Sequence, residues 1–137
     1  MYEKKFVGLQ EARLLVDAVV AQASEDPQRP VVVAVVDPEG ELVAFARMNG
    51  AGYLPRAMAL RKAYTAARMG SDSGAFGDRM RGVVPTLNEL GDPMLVGFKG
   101  GVCLRDGDSL IGAVGVSGRS AEEDEDLARA AIAALSK

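Results

Sequence analysis

The chain has 137 residues, 48% of them hydrophobic and 26% charged, with a formal net charge of −3. That length and balance predict one globular domain over residues 1–137 and argue against nucleic acid as a partner. Histidine is missing and Cys103 is the single cysteine. Ser-His-Asp and Cys-His catalysis, histidine-bearing metal sites and an internal disulfide framework are thereby excluded, and no metal site is expected.

Met1-Tyr2-Glu3-Lys4-Lys5 has no apolar stretch behind it, and no apolar run reaches the roughly 18 residues of a membrane span. With the lone cysteine, this predicts a cytoplasmic protein without membrane contact. Leu9 to Ala23 repeats apolar residues at helical spacing, and Pro27 and Pro30 close the segment that follows. Val31–Val36 is a β-branched run, Asp37-Pro38-Glu39-Gly40 supplies turn chemistry, and Leu42–Arg47 returns as a second strand. So short a connection dictates an antiparallel hairpin, which delivers Arg47, Met48, Asn49 and Gly50 to one end of a sheet.

Leu54 to Met69 is a helix with Pro55 in its first turn and Gly70 after its end. Ser73 to Arg81 follows as a short helix. Pro85, Gly91, Pro93, Gly97, Gly100 and Gly101 break the next stretch into a helical turn at Thr86–Leu90 and a strand at Met94–Phe98. Val102–Arg105 and Ser109–Val116 flank Asp106-Gly107-Asp108 as a second hairpin, with Gly112 and Gly115 inside its last strand. Ser120-Ala121-Glu122-Glu123 reads as a capping box opening the final helix. Elements in this order form an α/β chain of the α+β kind: an antiparallel sheet with the terminal helices on one face.

The segments VAVVDPEGELVAFARMNGA, RKAYTAA, a Gly-Gly pair before a hairpin, and IGAVGVSGRSAEEDEDLA run in order over nearly the whole chain. Together they resemble the GlcG/HbpS-like family, which includes the haem-binding HbpS type and the C-terminal domain of PduO-type proteins. The resemblance implies a profilin-like fold, an antiparallel sheet of about five strands flanked by helices. It also implies a homo-oligomer and a small-molecule or sensing role, with haem as the family's cofactor. Haem-binding members ligate iron through histidine. Here Met48, Met58, Met69, Cys103, Tyr53, Tyr64 or a lysine would have to serve, or no ligand at all.

The stretch from Arg47 to Arg81 carries Arg47, Arg56, Arg61, Lys62, Arg68, Arg79 and Arg81 against Asp72 and Asp78. Such a basic middle suits a small anionic ligand, a carboxylate or phosphate. The plainer reading has these cations in solvent or paired with the acidic run Glu122–Asp126.

Lys62 is the one catalytic candidate. One turn beyond Met58, itself a ligand-binding candidate, helical spacing aims Lys62 and Thr65 at a common cleft, where a lysine holds a carboxylate or, if desolvated, acts as base or nucleophile. Gly100, Gly101, Gly115 and Ser117 offer backbone N–H groups to an anion, unless turn and bulge geometry alone explains those glycines. Three readings follow: a binding or sensing module, an enzyme on a small carboxylate with Lys62 positioning the substrate, and a structural oligomer subunit with a vestigial pocket.

Overall fold

A computed structural model describes residues 1–136. Four helices flank one antiparallel sheet: α1 Leu9–Ala23, β1 Val32–Val36, β2 Leu42–Arg47, α2 Tyr53–Met69, α3 Ser73–Met80, β3 Gly101–Asp106, β4 Ser109–Ser117 and α4 Ala121–Leu135. A 3-10 turn at Leu87–Leu90 lies between α3 and β3. The strand order is β2-β1-β4-β3. Both hairpins of the sequence form, and β1 joins them by pairing Ala34 with Gly115 and Val32 with Ser117.

The sheet has four strands, not five. The strand expected at Met94–Phe98 does not form, because side chains take the backbone groups a neighbouring strand would need. Val96 N donates to Thr65 Oγ1 at 3.0 Å, Met94 N to Asp92 Oδ1 at 3.0 Å, and Ser73 Oγ donates to Phe98 O at 2.6 Å.

The two faces of the sheet are built from residues of different size. Val31, Val33, Val35, Val114, Val116 and Leu104 pack under α1 and α4, as expected for the terminal helices. On the opposite face Val32, Ala34, Val36 and Ala113 meet Ala59, Ala63, Ala66 and Ala67 of α2. Small residues bring that helix close. A Cβ at Gly115 would collide with the Ala59 carbonyl oxygen, and one at Gly101 with the Lys62 carbonyl oxygen.

Turns and caps hold the ends. Asp37 Oδ1 accepts from Glu39 N at 2.8 Å and Glu41 N at 3.1 Å, fixing the first hairpin. Gly70 ends α2 at φ 66°. Ser120 and Glu123 form the expected capping box on α4. No described helix is long and apolar enough to cross a membrane.

Candidate functional site

The residues singled out in the sequence fall into two groups. At the end of β2, Arg47, Met48 and Asn49 line a shallow cleft of about 350 Å³ with Val20, Ser24 and Pro27. Gly50 turns the corner there at φ 87°. Met48 serves the fold as well: its Sδ accepts from Val31 N at 3.4 Å. Met58 is half-buried on α2.

The second group is consumed by packing. Lys62 is 4% exposed; its Nζ donates to Val116 O at 3.0 Å and to Asp124 Oδ2 at 3.1 Å. The other Asp124 oxygen accepts from Arg119 N at 2.9 Å. Burial pushes the Lys62 pKa down and that of Asp124 up, and each charge opposes the shift of its partner. The ammonium is committed to protein acceptors, which leaves it no reach toward a substrate. Thr65 is fully buried; its hydroxyl donates to Arg61 O at 2.8 Å and accepts from Val96.

The glycines of this group make room for α2. Gly100 sits at φ 133° with Lys62 Nζ 2.8 Å from where its Cβ would stand. Gly101 N donates to Ser73 Oγ at 2.9 Å. Gly115 faces the α2 backbone, and Ser117 is a buried ladder residue opposite Val32.

The basic stretch is largely partnered. Arg56, Arg68 and Arg79 lie over the rings of Tyr53, Tyr64 and Phe76 at 5.7, 5.4 and 5.8 Å. Arg81 pairs with Asp78, and Lys62 with the acidic start of α4.

A more apolar cleft lies elsewhere. Gly77 of α3 and Gly97 pack backbone against backbone, and a Cβ at either would overlap the other. Around that contact the chain from Val84 to Phe98 curls past α3 and leaves a cavity of about 380 Å³. Its walls are Val84, Pro85, Leu87, Leu95, Val96 and Phe98, with Met80 and Arg81 where α3 ends. Phe98 is 62% exposed beside it. A few polar groups on an apolar wall, in a volume of this order, match the usual form of a small-molecule site. The sequence reading passed over this cleft, although the clustered prolines and glycines between Val83 and Gly101 are what let the chain wrap around it.

An α+β domain of four helices on a four-stranded sheet has close counterparts among known proteins. The family model described as "Haem degrading protein HbpS-like" matches residues 7–133, and this chain belongs to that family. The corrinoid adenosyltransferase PduO of Citrobacter freundii is 33% identical over 131 residues, 94% of this chain and 39% of the relative. The chain thus spans about two fifths of that relative's length. Among solved structures, a double mutant of Streptomyces reticuli HbpS is 31% identical with a TM-score of 0.88, covering 98% of this chain and 90% of that one. The PduOC–haem complex is 33% identical with a TM-score of 0.85, covering 94% of both chains.

Proposed function

We propose that this domain binds a small, flat organic acid of the tetrapyrrole class in the cleft between α3 and residues 84–98. The observation that carries the reading is the cleft itself. Val84, Leu87, Leu95 and Phe98 give it apolar walls, and Arg81, whose Nη1 is paired with Asp78, lines it with its remaining guanidinium donors for a carboxylate. The likeness to a haem complex supports the ligand class. About 380 Å³ takes one edge of such a ring, with the rest in solvent.

The residues present fit the ring and its carboxylates without offering an imidazole. Met80 is the thioether lining the cleft and would hold an iron, if the ring carries one, as methionine does in other haem proteins. An iron held there would supply redox or sensing chemistry. The protein's own part is to bind, orient and partly desolvate it.

Haemin and iron-free protoporphyrin IX, titrated separately and followed by absorbance, test the reading. Both saturate at one per chain, and Val84→Trp, which fills the cleft, weakens both by at least tenfold. Met80→Ala alters the haemin spectrum and leaves protoporphyrin binding in place. Binding indifferent to Val84→Trp overturns the assignment of the cleft.

A further inference from the structure

The outer wall of the cleft is held far less firmly than the walls on either side of it. On one side Phe76 of α3 is 2% exposed and Gly77 packs against Gly97. On the other, Tyr64 Oη donates to Asp92 Oδ2 at 2.6 Å, Thr65 Oγ1 accepts from Val96 N, and Leu95 is buried. Between these anchors, residues 83–90 contain no buried side chain. Val83 N and Val84 N donate to Met80 O, Glu89 N to Thr86 O, and Gly91 N to Asn88 O. These bonds all begin and end between Met80 and Gly91. Among the described residues, no side chain of α2 or α3 ties this stretch down as Tyr64 and Thr65 tie Asp92 and Val96.

A glycine stands at each end of the stretch, Gly82 at φ 84° and Gly91 at φ 77°. A Cβ at either would meet nothing within 4 Å. Crowding by α2 explains Gly101 and Gly115, whereas here the backbone conformation alone calls for glycine. Gly91 also ends the 3-10 turn. Hinges are positions of this kind, at the ends of elements, where a change in φ and ψ is absorbed. A segment with few buried apolar contacts and only local bonds, set between two firm anchors, opens at little cost in free energy.

We infer that residues 83–90 form a lid over the cleft. It swings on Gly82 and Gly91 and carries Val84, Pro85 and Leu87 away from Leu95 and Phe98 when a ligand enters. What the lid admits rests on the ligand reading above. The lid itself rests on backbone and burial, and the ligand-free protein tests it.

Full-length protein with Cys103→Ser and Leu95→Cys places one thiol on the fixed wall behind the lid. N-ethylmaleimide labels it at a rate nearly independent of low urea, the mark of local opening. Val114→Cys, in the core, labels only as fast as global unfolding allows. Left-handed backbone penalises alanine, so Gly82→Ala or Gly91→Ala disfavours the closed lid, and each speeds the labelling about fivefold. Gly70→Ala, with the same penalty at the end of α2, leaves the rate unchanged. Thermolysin cleavage within residues 83–90, in the natural chain and its glycine variants, gives the same ranking without an added cysteine. Labelling or cleavage that tracks global unfolding, or that is indifferent to both glycine variants, overturns the lid. Protoporphyrin IX at saturation slows the labelling at least tenfold. Fast labelling that the porphyrin leaves unchanged upholds the lid and overturns the ligand assignment.

Discussion

Lys62 Nζ and Asp124 Oδ2 lie 3.1 Å apart although 62 positions separate them in the chain. Val116 O shares the same ammonium at 3.0 Å, so one side chain of α2 ties down both the end of β4 and the first turn of α4. The pair is almost fully buried, and the desolvation of two charges offsets much of their attraction. Removing one partner leaves the other charge buried and alone. Lys62→Met or Asp124→Leu singly therefore costs about 3–5 kcal/mol in urea unfolding, whereas the double apolar variant lies near the wild type. The double variant also keeps its affinity for the cleft ligand, since neither residue lines that cleft.

The glycines separate two kinds of constraint. At Gly115 the obstacle to a side chain is the α2 backbone, which cannot move aside cheaply. Gly115→Ala loses at least about 3 kcal/mol, the upper part of the overpacking range, or fails to fold. Gly70 has open space around it and a φ of 66°. Gly70→Ala loses about 1 kcal/mol, from left-handed backbone alone. Thermal melts of the two variants rank them in that order.

Cys103 is guarded by burial, which together with the nearby Asp72 carboxylate pushes its pKa up to about 11. The thiolate is the reactive form, so raising the pKa in the folded state lowers reactivity at every pH below it. Alkylation of the native protein by iodoacetamide is about 100-fold slower at pH 8 than for a free thiol with the reference value, and it climbs with pH until about 11. Unfolding in urea abolishes the protection.

Ser120 accepts from Glu123 N at 3.2 Å, and Glu123 Oε1 returns the contact to Ser120 N at 3.4 Å. Ser120→Ala removes one half of this reciprocal cap and costs about 1 kcal/mol by denaturant titration.

Local chemistry made much of the fold legible. Asp37 and Gly40 mark the first hairpin, Gly107 the second, and Ser120 with Glu123 the last helix, because each acts on neighbours a few residues away. The pairing of β1 with β4 has no such local signal, since Ala34 and Gly115 meet only through tertiary structure. Gly101 and Gly115 stood out in the sequence as backbone donors or turn and bulge positions, with nothing to name what packs on them: here it is α2. Spacing put Lys62 and Thr65 on one side of a helix without revealing Asp124 or Val96 as their partners. The cleft at Met80 and Phe98 stayed hidden for the same reason, as irregular backbone carries no periodicity to read.

Whether the cleft beside α3 receives the ligand is read from backbone amide NMR with iron-free protoporphyrin IX. Binding in the cleft gives the largest shift changes at Gly77, Arg81, Val84, Leu87, Gly97 and Phe98, with the corner at Arg47–Gly50 unaffected. Changes centred on Arg47–Gly50, or none at saturating ligand, would contradict it.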